Sequence, residues 1–575
     1  MRRIKILKRI CLVAFAIIAT RLFFIQIIEH DAWTAKANEQ HTMLETIVAK
    51  RGEIYMMDGG EPVPVVLNQT VYSIIIDPAV TDREKLTAAL NTYAKDNITA
   101  DLDEVFSVEG LRYYIVARNI PHTTAEKIAE EGIAGVWFQK TVERVYPEGE
   151  MASGMLGFVN ADGLGQYGVE GSLNGILKGK DGLLKSISDV NNVALSIGDD
   201  NIRTPAEDGK SVVLSIDRGL ERGVEEITAA TLANSAKATN AAVLIMNPET
   251  GEVLTMANLP NYDPGNYGQV KDASAYTNYT TEIPYEPASV CKTFAFSAAI
   301  NENKMTADTT FFNNHYDIVD DNQIWNADRS SGRYGENTMK SAFYWSLNTG
   351  SMQALRLLGD DPENINAKGR ETLYDYYYNK FGLGRATGIE LIEAEGYLIE
   401  PHAEIYGLDA TYANMTFGQN LGITMIQTAA AFSAVVNGGK YNTPTVVKGT
   451  YENGEIKKLD STDARHEQIL KSETSSAMRD MLQNNRYTNY KLPAGYEVGG
   501  KTGTAQTIKD GVYVLDETVG SYVGYLATAG EMPSLVVMVK MWNPDGAYIT
   551  GNDAMDLFDS LAPFIINQQK LKPGA

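Results

Sequence analysis

A long apolar run lies near the N-terminus of the chain. Residues 1–9 are strongly basic, and the run at 10–28 that follows is interrupted only by Thr20, Arg21 and Gln26. A helix of this length is just sufficient to cross the roughly 30 Å hydrocarbon core of a bilayer. The basic flank predicts that residues 1–9 lie in the cytoplasm, that 10–28 form a transmembrane anchor, and that the rest lies outside the membrane.

A cleaved signal peptide is the alternative interpretation of this segment. Ala35-Lys36-Ala37 is a candidate cleavage site. The apolar run is, however, longer than the roughly 7–15 residues that are usual in the apolar part of a signal peptide. Arg21 lies near the outer end of the run, where its side chain can extend to the membrane interface. The anchor is therefore the favoured interpretation.

From residue 29 to residue 207, short apolar strands alternate with polar helical stretches. Strands are predicted at 71–76 and 113–116, and a helix is predicted at 123–131. The glycine-dense run at 163–171 requires unusual backbone angles or a close approach of two chain segments. These features predict one α+β region that contains no obvious catalytic motif.

The pattern changes after the polar segment at 199–210, and a second domain is predicted from residue 208 to the end. It opens with a strand at 212–216 and a helix at 219–233. Turn-forming residues at 247–251 then join two strands into a hairpin. Strands early and late in this region, with helices between them, predict one antiparallel sheet that opens and closes the domain. The strands of this predicted sheet are 241–246, 252–257, 501–506, 521–527 and 534–541.

Composition excludes several classes of protein. With 575 residues, 44% of them hydrophobic and 21% charged, the chain can bury the cores of two or three globular domains. The net charge of −23 argues against nucleic-acid binding, which depends on clustered basic side chains. Its two cysteines, Cys11 and Cys291, predict no disulfide. The six histidines show no zinc-binding spacing and no Ser-His-Asp pattern, and we expect no metal or other cofactor.

Ser289 and Lys292 are the candidate catalytic pair. They stand three residues apart where an apolar helix is predicted to begin, and this spacing places the hydroxyl and the amine on one face. A serine hydroxyl needs a base within hydrogen-bond reach to act as a nucleophile, and a desolvated lysine can lose its proton and serve as that base. The alternative for Ser289 is a helix cap that accepts hydrogen bonds from backbone N–H groups.

Two downstream motifs favour the catalytic interpretation. Ser346-Leu347-Asn348 follows Ser289 after 57 residues, and Lys501-Thr502-Gly503 follows much later. The ordered set S-x-x-K, S-x-N and K-T-G resembles that of the penicillin-binding proteins and serine β-lactamases. A second Ser-Leu-Asn tripeptide, at 172–174, precedes Ser289 within the glycine-dense region, and we interpret it as a surface turn.

The upstream region resembles the non-catalytic pedestal of class B penicillin-binding proteins. The resemblance depends on Arg51-Gly52-Glu53-Ile54, on the segment at 144–149 and on the glycine-dense run. It implies a dimerisation-type pedestal at 29–207 and a transpeptidase domain at 208–575, in which helices flank the central antiparallel sheet. One departure is that Met56-Met57 stand where the family usually has Asp-Arg. A second is that Leu347 fills a position often taken by Asp or Tyr in β-lactamases.

The resemblance also implies a role for each catalytic residue. Ser289 would attack a carbonyl carbon while Lys292 takes its proton. The backbone N–H groups of Ser289 and Thr504 would stabilise the oxyanion that forms. Ser346 would relay a proton to the leaving amine, and Asn348 would bind the substrate amide and Lys292.

The third motif is expected to bind substrate on an edge strand, because an unpaired strand edge offers donors and acceptors to an extended peptide. Lys501 would keep the pocket positive and, with Thr502 and Thr504, would hold a substrate carboxylate. Gly503 would let the substrate approach the strand closely.

Two further stretches resemble structural landmarks of the transpeptidase family. They are Phe381-Gly382-Leu383-Gly384 and the segment at 416–420. The family usually has glycine where Asn420 stands, and Asn420 is therefore left out of the predicted site. The tyrosine-rich stretch at 374–378 is expected to pack in the core.

Taken together, the sequence predicts a membrane-anchored peptidoglycan D,D-transpeptidase. It would cross-link stem peptides ending in D-Ala-D-Ala through a Ser289 acyl-enzyme, release D-Ala and be trapped by β-lactams. We recognise no glycosyltransferase domain, so by analogy a membrane glycosyltransferase of the shape, elongation, division and sporulation family is the expected partner. The alternatives are a D,D-carboxypeptidase or β-lactamase-type hydrolase, and a non-catalytic scaffold of a wall-synthesis complex.

Overall fold

The computed structural model describes residues 2–31, 33, 42–187, 202–327, 333–459, 464–485, 492–509 and 512–574. The chain forms two compact units. The first comprises Met1–Gly52 and Lys178–Lys210, and the second comprises Glu53–Leu177 and Ser211–Ala575. The candidate cleavage site at 35–37 lies outside the described residues.

The first unit contains the predicted apolar helix. It runs over Arg2–Phe23 and continues as a π-helical turn at Phe24–Ile28. No residue of this segment is buried in the protein, and its length of 27 residues corresponds to about 40 Å of α-helix. It is therefore long and apolar enough to cross a membrane. The same unit holds a three-stranded antiparallel sheet, whose strands in spatial order are Thr42–Ile47, Gly182–Ile187 and Ile202–Thr204.

The pedestal part of the second unit is built on a seven-stranded sheet. The predicted strand at 71–76 is the end of a 16-residue strand, Glu61–Ile76, which pairs with Tyr114–Pro121 and with Val136–Val145. Helices Arg83–Tyr93, Leu102–Ser107 and His122–Glu130 belong to the same part. The remaining strands of this sheet, in spatial order, are Ile54–Asp58, Ser211–Asp217, Val447–Glu452 and Glu455–Lys457.

Two of the three pedestal motifs of the sequence, the segment at 144–149 and the glycine-dense run, meet in a buried ion pair. Arg144 donates from Nε to Glu170 Oε1 at 2.6 Å, and both side chains are buried. Gly168 has a φ of 42°, and a Cβ at this position would lie 2.2 Å from the carbonyl oxygen of Met155. This close approach explains the glycine. Met56, which with Met57 replaces the Asp-Arg pair usual in the family, is fully buried in the main hydrophobic core.

The central sheet of the C-terminal part confirms the predicted antiparallel arrangement. Its strands, in spatial order, are Val253–Leu259, Asn240–Met246, Leu535–Trp542, Val512–Thr528 and Tyr496–Lys509. Helices Arg218–Ala233 and Gly551–Gln568 pack on one face of this sheet. Helix Met425–Val436, all of whose residues are buried, packs with Lys292–Asn301 on the other face. The strand that carries the third motif therefore lies at a sheet edge.

Shorter elements complete the second unit. Its further helices are Ser153–Leu156, Gly168–Ser172, Asn174–Leu177, Met339–Tyr344, Asn348–Leu358, Ala367–Tyr374, Leu408–Met415 and Ser472–Gln483. Its short strand pairs are Phe158–Val159 with Gly165–Gln166, Thr310–Asn313 with Gly335–Thr338, Tyr316–Val319 with Asn322–Trp325, and Lys440–Asn442 with His466–Gln468. Tyr376 and Tyr377 are fully buried, as predicted for this tyrosine-rich stretch.

The interpretation of 172–174 as a surface turn is wrong. Ser172 ends one short helix and Asn174 begins the next, while Leu173 between them is buried in the main core. The side chain of Asn174 accepts a hydrogen bond from the N–H of Gly165 at 3.1 Å. The tripeptide is therefore a packed joint between two helices, and its apolar middle residue, which a surface turn would not need, was the overlooked signal.

Candidate active site

Ser289 lies in a tight turn that leads directly into an α-helix. Residues Ala288–Cys291 form a 3₁₀ turn, and helix Lys292–Asn301 follows without a break. The N–H of Ala288 donates to the carbonyl oxygen of Gly418 at 3.2 Å, which holds the turn against the 416–420 segment. The Ser289 hydroxyl caps neither element. It instead accepts a hydrogen bond from Lys292 Nζ at 3.0 Å, and the helix-cap alternative does not describe this serine.

Lys292 connects the first motif with the second. Its side chain is 1% exposed. Nζ donates to the backbone oxygen of Ser346 at 2.6 Å and to Ser346 Oγ at 3.1 Å, in addition to Ser289. Burial holds the pKa of Lys292 well below its ordinary value, and the neighbouring charge of Lys501 lowers the pKa further. A neutral amine in contact with two hydroxyl groups can accept a proton from either of them.

The backbone of the second motif turns Ser346 toward Lys292. Ser346 has a φ of 55°, and the following Leu347 is buried in the core. Asn348 begins helix Asn348–Leu358, and its side-chain Nδ2 donates to the carbonyl oxygen of Trp325 at 2.8 Å. Among the described residues, Lys292 forms hydrogen bonds with Ser289 and Ser346 but not with Asn348.

The third motif packs against the serine turn. A Cβ on Gly503 would lie 2.3 Å from the carbonyl oxygen of Pro287 and 2.6 Å from Ser521 Oγ. Only glycine allows the strand and the turn to come this close. Lys501 is fully buried, and its Nζ donates to the carbonyl oxygen of Thr502 at 3.0 Å. Burial lowers the pKa of Lys501 to about 7, so this group can change charge near neutral pH.

The two threonines of the motif differ in exposure. Thr502 is buried, whereas Thr504 is exposed. Thr504 Oγ1 accepts a hydrogen bond from the N–H of Gly551 at 2.9 Å, which ties the edge strand to the start of the C-terminal helix. Of the eight predicted site residues, the structure therefore joins Ser289, Lys292 and Ser346 by hydrogen bonds. Lys501 and Gly503 lie next to this group, as the effect on the Lys292 pKa and the contact with Pro287 indicate.

A polar contact that was not predicted from the sequence lies beside the serine turn. Glu286 accepts a hydrogen bond from the hydroxyl of Tyr513 and another from the N–H of Asn420, each at 2.8 Å. Burial raises the pKa of Glu286. Asn420 has a φ of 61°, a conformation that asparagine tolerates better than most residues, and this explains its replacement of the usual glycine. The only feature of the sequence that could have indicated this contact is that Asn420 belongs to the 416–420 segment, three residues after Phe417.

Comparison with known families decides the assignment. The penicillin binding protein transpeptidase domain matches residues 241–561, more than half of the chain, and the penicillin-binding protein dimerisation domain matches residues 46–214. The chain belongs to the class B penicillin-binding proteins.

Individual relatives agree with this family. Stage V sporulation protein D of Bacillus subtilis is 30% identical over 93% of this chain and 80% of its own length. The peptidoglycan D,D-transpeptidase FtsI of Buchnera aphidicola is 24% identical over 98% of this chain and 95% of its own length. The crystal structure of penicillin binding protein 3 from Mycobacterium tuberculosis, complexed with aztreonam, is similar with a TM-score of 0.67 and 23% identity, and covers 92% of this chain and 98% of that one. This class B penicillin-binding protein therefore shares the fold of that structure as well.

Proposed function

We propose that this class B penicillin-binding protein is a peptidoglycan D,D-transpeptidase that works through a covalent intermediate on Ser289. The observation that carries the proposal is the hydrogen-bonded chain from Ser289 Oγ to Lys292 Nζ and on to Ser346 Oγ, with distances of 3.0 and 3.1 Å. A buried lysine with a lowered pKa is suited to activate a serine without a histidine. The name of the Buchnera aphidicola relative, peptidoglycan D,D-transpeptidase FtsI, agrees with this chemistry.

In the first half of the reaction, Lys292 takes the proton of Ser289, and Oγ attacks the carbonyl carbon of the penultimate D-Ala. The carbonyl oxygen becomes an oxyanion, which the N–H groups of Ser289 and Thr504 would stabilise. The tetrahedral intermediate then collapses. The bond to the terminal D-Ala breaks, and the leaving nitrogen takes a proton that passes from Lys292 through Ser346.

In the second half, an amine of a neighbouring stem peptide attacks the ester carbonyl of the acyl-enzyme. The new amide bond forms as the attacking nitrogen gives up a proton through Ser346 to Lys292, the bond to Ser289 Oγ breaks, and Lys292 returns that proton to the serine. Ser346 lies within hydrogen-bond distance of Lys292, so it can relay protons in both halves. The net result is one amide bond exchanged for another, with D-Ala released.

The third motif would bind the donor strand. Protonated Lys501, with Thr502 and Thr504, would hold the terminal carboxylate of the donor. Gly503 gives the peptide room beside the edge strand, and Asn348 would contact a substrate amide. β-Lactams would enter the same way, because they carry a carboxylate and a reactive amide, and they would leave Ser289 acylated.

We also propose the position of the protein in the cell. Residues 1–9 would be cytoplasmic, 10–28 would cross the membrane, and a pedestal at 29–207 and a transpeptidase domain at 208–575 would lie outside. The basic N-terminal flank supports this orientation. A membrane glycosyltransferase of the shape, elongation, division and sporulation family would supply the glycan strands, and the anchor and pedestal are the surfaces expected to meet it.

Intact-mass spectrometry of the detergent-solubilised full chain with benzylpenicillin tests the mechanism. We expect one adduct that persists for hours in the wild type and is absent from the Ser289→Ala variant. An adduct on the wild type that disappears within seconds would indicate a β-lactamase-type hydrolase instead. If no adduct forms while the protein remains folded, the Ser289 mechanism is wrong and the scaffold interpretation gains support.

A further inference from the structure

A polar groove continues outward from the reacting groups. It encloses about 600 Å³. Asn348 of the second motif and Gln506, three residues after Gly503, both line it. Phe417 also belongs to its wall, and the ring of Phe417 lies 6.0 Å from Lys292 Nζ. A peptide bound at Ser289 can therefore extend into this groove.

Side-chain carboxamides dominate the wall of the groove. Each carboxamide offers two N–H donors and a carbonyl acceptor. Three of the seven each form one side-chain hydrogen bond: Asn322 with the carbonyl oxygen of Asp320, Asn348 with that of Trp325, and Asn420 with the hydroxyl of Tyr513. The other four form no side-chain hydrogen bond with any residue that the structure describes, so their donors and acceptors are available to a ligand. They are Gln323, Asn414, Gln419 and Gln506.

The groove lacks the cations that a carboxylate would need. None of the described residues that line it is charged. A neighbouring cavity shares Tyr406 and Gly407 with it and is lined by Asp320, Asp321 and the ion-paired Asp409 and Arg370. The charged wall of this neighbouring cavity is therefore net acidic.

These charges favour one class of ligand. A carboxylate that entered the groove would lose hydration without gaining a cation, and it would approach Asp320 and Asp321. A carboxamide in the same place would exchange hydrogen bonds with water for hydrogen bonds with the wall at little cost. We propose that this groove is a specificity subsite that prefers stem peptides whose side carboxyl groups are amidated over the same peptides with free carboxylates.

This inference rests on the proposed function, since it concerns a peptide held at Ser289. The Lys501 pocket and the carboxamide groove would then select for opposite charge properties of the donor peptide. Lys501 would require the negative charge of the terminal carboxylate, whereas the groove would disfavour negative charge elsewhere along the peptide. This difference arises because the first subsite contains one buried cation, whereas the wall of the groove consists largely of neutral carboxamides.

A competition experiment tests the preference. The detergent-solubilised full chain is acylated by a fluorescent penicillin in the presence of either of two synthetic stem pentapeptides, which differ only in amide against carboxylate at their side carboxyls. We expect the amidated peptide to halve the acylation rate at a concentration at least about tenfold lower. Equal potency, a more potent free acid, or no protection by either peptide overturns the inference. Failure of penicillin to acylate the protein would instead overturn the proposed function.

Substitutions locate the source of the preference. Gln419→Lys adds a cation to the groove and should reduce the preference roughly tenfold by improving binding of the free acid. Gln419→Met keeps the length and neutrality of the side chain and should keep the preference. Gln139→Lys makes the same charge change on an exposed pedestal strand and serves as the matched control. Thermal unfolding checks that each variant is folded, and an unchanged preference in folded Gln419→Lys would overturn the assignment.

Discussion

The surroundings of two buried lysines, Lys292 and Lys540, differ in a way that explains the chemistry of this domain. Both side chains are almost fully buried, with 1% and 3% of their surface exposed, and burial lowers the pKa of both. Lys292 is surrounded by oxygen atoms of Ser289 and Ser346. Lys540 instead faces the rings of Tyr285 and Trp542, with Nζ 4.4 and 5.0 Å from their centroids.

Burial lowers the pKa of both lysines, but only Lys292 lies next to hydroxyl groups whose proton it could accept. The aromatic rings around Lys540 offer an electrostatic attraction to a cation but no proton to accept. The oxygens around Lys292 include two hydroxyl groups, one of which is the proposed nucleophile Ser289. Lys501 also adds a positive charge beside Lys292 that Lys540 lacks. We therefore expect substitution of Lys292 to remove most of the activity, and substitution of Lys540 to leave activity nearly unchanged and to raise stability.

The largest effect is expected from Lys292→Met, which removes the base and keeps the volume of the side chain. The rate of acylation by benzylpenicillin should fall roughly a thousandfold or more, because Ser289 loses the group that takes its proton. Stopped-flow or quenched mass spectrometry measures this rate. The melting temperature should not fall, since a buried polar group is removed. Acylation within tenfold of the wild type would show that another group acts as the base.

Removing one oxygen atom from the surroundings of Lys292 should slow acylation by less than Lys292→Met does. Ser346→Ala deletes a hydroxyl 3.1 Å from Nζ, while the backbone oxygen at 2.6 Å still holds the lysine. We expect acylation to slow by about ten- to a hundredfold through loss of the proton relay.

The second copy of the tripeptide provides a matched control for this variant. Ser172→Ala makes the same change at the helix joint in the pedestal. Acylation should stay within about twofold of the wild type. If both variants slowed the reaction equally, the effect at Ser346 would not come from its contact with Lys292.

The acylation rate should also depend on pH, because one lysine must be neutral and another must be protonated for the reaction. Lys292 must be neutral, so the rate should fall as the pH drops through its lowered pKa. Lys501 must be charged to hold a carboxylate, so the rate should fall again, by up to about tenfold per unit, as the pH rises through about 7. The ratio of the acylation rate to the dissociation constant, measured from pH 5 to pH 10, gives both limits. A rate that rises steadily to pH 10 would contradict a charged role for Lys501.

Much of this site could be predicted from sequence because its signals are local. The S-x-x-K spacing predicted the pairing of Ser289 with Lys292, and strand alternation with turn chemistry predicted the antiparallel sheet. The contact of Glu286 with Asn420 and Tyr513 could not be found this way, since these partners are 134 and 227 residues away in sequence. The two Ser-Leu-Asn tripeptides make the same point, because identical local sequence is a helix joint in one place and contacts Lys292 in the other.

The position of Lys540 could not be predicted either, for a related physical reason. A lysine in the strand Leu535–Trp542 is unusual because every residue of this strand is buried. The sequence identifies the strand but not the rings that cover the lysine, and one of these belongs to Tyr285, more than 250 residues away. Only the tertiary packing brings these rings against Lys540, where they offset part of the cost of burying its charge.

The smallest effect on activity, together with a gain in stability, is expected from Lys540→Met. The folded-state pKa of Lys540 is lowered to about 7 from an ordinary value near 10.5. The unfolded chain therefore binds more protons between these values, and wild-type stability rises with pH over this window. Below about pH 7 the folded protein bears the full cost of a buried cation, which the contacts with Tyr285 and Trp542 offset only in part. Lys540→Met should stabilise the protein by about 1–3 kcal/mol at pH 6 and by less at pH 9.

Thermal unfolding of Lys540→Met and wild type at the two pH values measures this difference. Penicillin acylation of the variant should stay within about twofold of the wild type, and its decline above pH 7 should persist, since Lys501 rather than Lys540 sets that limit. A lower melting temperature for the variant at pH 6 would show that the two aromatic rings stabilise the cation by more than its burial costs. Loss of acylation would instead place Lys540 among the residues that organise the site, and the contrast with Lys292 would no longer hold.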